Sequence, residues 1–356
     1  MFSVFTKRLS NFYWLILILT LSVIAGCRNS PINPADSINT QPIAGSLLTL
    51  ATTGKSTFIP PPVFTATLDI NQTLTPDPRP ISSNTLIKSP AALVPTPTHL
   101  APGEWMSLPV IPTVSQTARQ IYQRGIEMGN DPHAFSKIGD CQSITTYFLA
   151  SFDRPGDYDL GSYTSLQETI DWYIGSFSRE SLAVKGGFNA AAILSPLRAD
   201  QKQCHTSENP ISCEFHLHHP SVAIISLEEW WAGQPENYEK YLRQIIEFTI
   251  SQGVVPILAT KADNLEGNNM INETIANLAQ EYDIPLWNFW ASVQDLPNHG
   301  LAAYDPWGNK DMFHLTHGEL YEFSDELENG RSGWTMRNLT ALQALDAVQR
   351  GLTAQP

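Results

Sequence analysis

The stretch from Ser221 to Leu227 limits the possible folds of this chain more than any other. It is almost continuously apolar and rich in β-branched side chains, as a strand buried on both faces must be. Further strands are predicted at residues 254–259 and 284–290, with helices over residues 237–251 and 270–282. Strands that alternate with helices form a parallel sheet covered on both faces. The sequence therefore predicts an α/β fold, a three-layer α/β/α arrangement around a central, mainly parallel sheet.

The first 26 residues have the order of an export signal. Lys7 and Arg8 precede an apolar run that is short for a bilayer span, and the run ends in Ala25-Gly26-Cys27. This pattern resembles the lipobox of bacterial lipoproteins. The resemblance implies cleavage before Cys27, lipidation of its thiol and an extracytoplasmic protein anchored to a bacterial membrane. An ordinary signal peptide or membrane anchor with a chance cysteine is the alternative.

Residues 27–112 are rich in Pro, Thr and Ser and carry few charges. Such a segment buries too little apolar surface to offset its ordering entropy, so we expect a disordered tether. The remaining residues, 113–356, suit one compact domain. The formal net charge of -14 argues against a nucleic-acid partner, because phosphates are bound by clustered Lys and Arg. The oligomeric state is left open.

Three cysteines follow Cys27 in the chain. Cys204 and Cys213 flank one polar loop, and neighbouring cysteines outside the cytoplasm are expected to pair. We therefore predict a disulfide between them. Cys141 then remains as a thiol, which is a liability in an oxidising compartment unless it is buried or reactive.

Two segments carry the residue types of nucleophilic catalysis. An apolar lead-in over residues 135–138 ends in Gly139-Asp140 and then presents Cys141, as a strand-to-helix turn presents a nucleophile above a sheet edge. Far along the chain, Asp311 precedes His314 by three positions. A base oriented by an acid is what activates a thiol or hydroxyl. We predict that these segments meet at the carboxyl ends of the strands.

The two segments resemble the first and last sequence blocks of the SGNH, or GDSL, hydrolase superfamily, which has a flavodoxin-like fold. Gly139-Asp140-Cys141 is similar to its Gly-Asp-Ser block with cysteine in place of serine, and Asp311-x-x-His314 is similar to its Asp-x-x-His block. The resemblance covers about residues 135–352. It implies hydrolysis or transfer of an acyl ester without a cofactor. Cys141 would be the nucleophile, His314 the base and Asp311 the residue that orients it.

The middle blocks of that family are matched less well. The resemblance assigns an oxyanion-hole backbone N–H to Gly187 or Asn189. The family's third block reads Gly-x-Asn-Asp, whereas this chain reads Glu228-Glu229-Trp230-Trp231 there and has no asparagine. Loss of such a donor typically costs about 10²–10³ in rate. A catalytically inactive binding lipoprotein with the same fold is therefore the alternative function.

Several further side chains follow strand ends. Glu228, Trp230 and Lys261 are predicted to contact substrate, and loop or core packing is the alternative for each of them. The remaining group consists of histidines before the Ser221 strand, namely His205, His216, His218 and His219. They show no ligand spacing to a second cluster, so the sequence predicts a solvated loop and no metal site.

Overall fold

The computed structural model describes residues 99–227, 235–305, 308–311, 313–324 and 331–354. The predicted signal peptide, the lipidation site at Cys27, most of the predicted tether, and Glu228 and Trp230 lie outside these residues. Within them, no helix combines the length and apolar character that crossing a bilayer requires.

Four parallel strands form the sheet in the order β1-β2-β3-β4. Their bounds are Asp131–Gly139, Pro220–Ser226, Val255–Ala259 and Leu286–Trp287. Every residue of β2 and β3 is buried, because these apolar strands lie between helix layers on both faces. Val184 makes an isolated parallel bridge to Gly139 at the free edge of β1. The predicted α/β fold with a central parallel sheet is confirmed.

Eight helices are assigned in the described residues, excluding single 3₁₀ turns. In chain order, α1 to α8 span Gln116–Met128, Gln167–Trp172, Ala190–Ile193, Pro210–His218, Pro235–Ser251, Met270–Tyr282, Phe289–Ser292 and Gly333–Thr353. Helix α8 contacts both α1 and α2, with α1 packed on β2 and β3 and α8 on β4. Helices α3 to α6 are linked by their own contacts, and they pack on β1 and β3. The sheet therefore lies between two helix layers.

The predicted strand at residues 284–290 is shorter than expected and gives way to α7. The reason is Asn288, which is completely buried. Its side-chain amide donates to the carbonyls of Trp105 and Leu108, and its oxygen accepts from the hydroxyl of Thr260. Partners on two other segments turn the chain at this residue and end the strand.

The same contacts show that the folded domain begins earlier in the chain than predicted. Trp105 is 1% exposed and lies edge-on against Trp290, with ring centroids 4.9 Å apart. The backbone N–H of Asn288 also donates to the carbonyl of Val110. Residues 99–112 are thus part of the packed domain, and the boundary predicted at residues 112–113 lies inside it.

Lys137 on β1 is an unusual core residue, because it is a lysine that is only 1% exposed. Its ammonium group donates to the hydroxyl of Thr145 at 3.1 Å and to the carbonyl of Phe177 at 2.8 Å. Burial, together with the nearby guanidinium of Arg179, lowers the pKa of Lys137 to about 7. The charged form is disfavoured because attraction to the carboxylates of Glu214, Asp153 and Glu180 does not offset the hydration lost on burial.

The lowered pKa of Lys137 predicts a specific pH dependence of stability. Between pH 7 and the ordinary lysine pKa of 10.5, the unfolded chain holds a proton that the folded chain has lost, so stability rises with pH. From pH 7 to pH 10 we expect the free energy of unfolding to rise by about 3 kcal/mol relative to Lys137→Met. Urea denaturation across this range measures the difference. If the free energies of unfolding of parent and variant change with pH in parallel, Lys137 is fully charged in the folded protein.

Candidate active site

The turn that carries Cys141 is shaped by a glycine at the end of β1. A Cβ on Gly139 would lie 2.2 Å from the hydroxyl oxygen of Ser143 and 2.7 Å from the carbonyl of Ser226. Only a residue without a side chain allows this close approach. Asp140 then accepts the N–H of Gln142 at 2.9 Å and starts a 3₁₀ turn over Cys141–Ser143. Cys141, which remains a thiol, therefore lies just past the end of β1 and is 8% exposed.

Asp311 and His314 form a hydrogen-bonded pair. One carboxylate oxygen of Asp311 lies 2.7 Å from Nδ1 of His314, and the other accepts the backbone N–H groups of Phe313 at 3.0 Å and His314 at 3.1 Å. A carboxylate only accepts, so Nδ1 carries the proton and Nε2 is left as the basic nitrogen. The side chain of His314 is 37% exposed, whereas the side chain of Asp311 is only 7% exposed.

The protonation state of Asp311 follows from these contacts. Burial by itself would raise the pKa of its carboxyl. The hydrogen bonds from the backbone and ring of His314 and from the backbone of Phe313 outweigh burial and hold the pKa below its ordinary value of 3.8. Asp311 is therefore ionised at neutral pH, as a residue that orients a catalytic imidazole must be.

A direct hydrogen bond joins the two predicted segments. The side-chain amide of Gln142 donates to the carbonyl of Phe313 at 3.0 Å. Gln142 follows Cys141, and Phe313 precedes His314, so the thiol turn and the histidine loop lie side by side. The backbone N–H of Ala302 holds the same loop through the carbonyl of His314 at 2.8 Å.

Arg337 on α8 holds the turn that carries Cys141. The sequence did not predict this role. Its side chain is completely buried, and its Nε donates to the carbonyl of Gln142 at 3.0 Å. A terminal nitrogen donates to the hydroxyl of Ser226, the last residue of β2. The guanidinium lies 5.0 to 5.3 Å from the ring centroids of three aromatic residues, Phe148, Trp287 and Phe289. One side chain thus joins α8, the thiol turn and the end of β2.

The segment predicted to supply the oxyanion hole lies at the same sheet edge. The backbone N–H of Lys185 donates to the carbonyl of Gly139 at 3.3 Å, which anchors the segment beside the end of β1. Gly187 follows in the left-handed region at φ 79° and is exposed. The side chain of Asn189 caps α3 by accepting the N–H of Ala192 at 2.8 Å. This cap uses the amide oxygen of Asn189 and fixes the orientation of its side chain.

Lys261 does not fit the predicted role in substrate binding. Its side chain is completely buried, and its ammonium contacts Asp263 at 2.8 Å and Glu266 at 2.6 Å. The amide of Asn272 on α6 accepts its backbone N–H at 2.8 Å. Because Lys261 is buried and paired with the carboxylates of Asp263 and Glu266, it is a structural residue of the loop after β3.

Aromatic side chains surround the histidine loop. The ring of Phe313 lies 4.3 Å from that of His314, and Tyr147 lies 5.4 Å from His317 and 5.5 Å from Trp334, measured between centroids. Burial and the nearby His314 lower the pKa of His317, which favours its neutral form. The sequence did not predict the contacts of Tyr147 with His317 and Trp334, nor those of Gln142 and Arg337. Their partners lie far away along the chain, where no local pattern can indicate them.

No family model and no curated protein matches the chain. Among solved structures, the chain is similar to a protein from Desulfitobacterium hafniense DCB-2 that is assigned to the G-D-S-L family of lipolytic proteins. The identity is 15% and the TM-score is 0.35, over 59% of this chain and 98% of that one. A similarity at this level carries no argument about function, which therefore rests on the residues and distances of the site.

Proposed function

We propose that this chain hydrolyses or transfers acyl esters with Cys141 as nucleophile, His314 as base and Asp311 as the residue that orients it. The observation that carries the proposal is the hydrogen bond from Gln142 to the carbonyl of Phe313. It joins the turn that presents the thiol to the loop that holds the Asp311–His314 pair. A nucleophile, a base and an orienting acid in this order are the parts that acyl transfer requires.

The reaction proceeds in two steps. Nε2 of His314 takes the thiol proton, and the Cys141 sulfur forms a bond to the ester carbonyl carbon. Backbone N–H groups of Cys141 and of Gly187 or Asn189 receive the negative oxygen. His314 then gives its proton to the leaving alkoxide as the C–O bond breaks, and a thioester remains. Water or an acceptor hydroxyl, deprotonated by His314, attacks the thioester and releases the thiol.

The location and substrate class are part of the proposal. The lipobox-like sequence ending in Cys27 supports an extracytoplasmic protein anchored by a lipid, and the disulfide between Cys204 and Cys213 suits an oxidising compartment. O-acetylated envelope glycans are acyl esters that a protein at that location meets. The substrate assignment rests on location and on the family resemblance.

Trapping of the acyl group tests the proposal. We expect the purified protein to release the chromophore from an aryl acetate, slowly because the third block lacks its asparagine. Rapid acid quenching followed by peptide mass mapping should find one acetyl group on Cys141. Absence of both release and acetylation, with slow alkylation of Cys141 near neutral pH, would favour the binding lipoprotein instead.

A further inference from the structure

A second cluster of titratable side chains lies on α4 and on the loop before it. His205, Glu208 and His216 each place a donor atom within 4.8 Å of the other two. Nδ1 of His216 is 3.1 Å from one carboxylate oxygen of Glu208. The rings of His205 and His216 are stacked, with centroids 4.8 Å apart and planes inclined by 27°. None of these residues takes part in the acyl-transfer site.

The disulfide explains why residues that are distant in sequence meet here. Cys204 and Cys213 are joined, with Cα atoms 5.4 Å apart. His205 follows the first cysteine directly, and His216 lies three positions after the second on α4, about one helical turn away. The bond therefore ties the segment that carries His205 to the helix that carries His216. The spacing of His205 and His216 in the sequence did not indicate that they lie close together.

A backbone hydrogen bond orients the carboxylate of Glu208. The second oxygen of Glu208 accepts the backbone N–H of His205 at 2.8 Å, and the N–H of Glu208 donates to the carbonyl of His205 at 3.0 Å. Asn209 and Ser212 close the loop with a reciprocal capping box at the start of α4. A ligand held by a second set of hydrogen bonds is typical of a metal site.

The donor set and its distances suit a zinc ion. Zn²⁺ binds imidazole nitrogen and carboxylate oxygen at about 2.0–2.2 Å, so donors 3.1 Å apart subtend an angle of about 95° at the metal. His205 and His216 are both exposed, and binding of the ion requires the His205 ring to rotate towards the third position. Hard cations such as Ca²⁺ prefer all-oxygen sites, whereas imidazole suits Zn²⁺ and other late first-row metal ions.

We propose that His205, Glu208 and His216 form a Zn²⁺ site with at least one position open to water or to an external ligand. This inference replaces the prediction that the histidines before the Ser221 strand belong to a solvated loop without a metal. It is independent of the acyl-transfer proposal, because the two sites share no residue. The disulfide has a defined role in it, since it fixes the relative positions of two of the three ligands.

Calorimetric titration with ZnCl₂ tests the site. The full chain, oxidised, stripped with a chelator and carrying no histidine tag, is expected to bind one Zn²⁺ that excess Ca²⁺ does not displace. Loss of even an outer-shell partner lowers metal affinity about 10–100-fold, so His205→Ala, Glu208→Gln and His216→Ala should each weaken binding at least about tenfold. His218→Gln, on the same helix but outside the cluster, should bind as the parent does.

Thermal unfolding supplies a second measurement. Zn²⁺ should raise the melting temperature of the parent and of His218→Gln, because a ligand that binds only the folded state stabilises it. It should raise that of His216→Ala much less, while all three proteins melt alike with chelator present. Absence of Zn²⁺ binding by the parent, or parental affinity in both histidine variants, would overturn the proposal and leave an ordinary surface hydrogen bond.

Discussion

Cys141→Ala and His314→Ala are each expected to lower kcat/KM for an aryl acetate by about 10³-fold or more, to the level of background hydrolysis. The double variant should be no worse than either single variant, because residues that act as one unit are not additive. Asp311→Asn should lower the rate less than either, since the imidazole remains but loses its fixed tautomer. Steady-state kinetics with intact mass analysis of Cys141 measures these effects.

Ser143→Ala is the matched control for this series. Ser143 lies in the same 3₁₀ turn as Cys141, and its buried hydroxyl oxygen has no hydrogen-bond partner in the described part of the chain. Its loss should leave kcat/KM unchanged. A large loss of activity in Ser143→Ala, with little change in Cys141→Ala, would move the nucleophile from the thiol to the hydroxyl.

Cys141→Ser distinguishes a site built for a serine nucleophile from one adapted to a thiolate. A serine nucleophile needs His314 as base throughout, whereas a thiol near an imidazole can ionise at neutral pH. A rise in ester hydrolysis with Cys141→Ser would indicate a serine-type site that carries a cysteine. A fall would indicate surroundings adapted to a thiolate.

Arg337→Met is expected to lower the free energy of unfolding by about 3–5 kcal/mol, because it leaves the buried carbonyl of Gln142 and the hydroxyl of Ser226 without their donor at about 1–3 kcal/mol each. The guanidinium's contacts with three aromatic rings are lost as well. Because Gln142 follows Cys141, kcat should also fall by about 10–10²-fold through misplacement of the thiol. Urea denaturation and kinetics report the two effects separately.

Arg350→Met is the matched control, because Arg350 lies on the same helix with its side chain 48% exposed. Its ion pairs with Asp346 and Glu168 are at the surface, so we expect a change within about 0.5 kcal/mol. Arg337→Lys keeps the charge but cannot reproduce the planar fork of donors, so it should recover little of the lost activity. Equal stability of Arg337→Met and Arg350→Met would show that Arg337 does not anchor the turn.

The sequence by itself determined the layers of the fold, because hydrophobic periodicity is a local property. The continuous apolar run 221–227 predicted a strand buried on both faces, and β2 is such a strand. The helix predicted at residues 270–282 has the bounds of α6. The last helix, α8, begins at Gly333, because Ser332 and Thr335 form a capping box that periodicity does not reveal.

Only the tertiary structure decided which residues meet around Cys141. The bonds from Gln142 to Phe313 and from Arg337 to Gln142 join positions 171 and 195 apart in the chain. No local pattern encodes such contacts, because they depend on the order of strands and on where α8 crosses the sheet. Lys261 shows the same principle, since its position after a strand predicted a substrate contact while its burial with Asp263 and Glu266 gives it a structural role. Periodicity therefore located the sheet edge, and packing selected the side chains that work there.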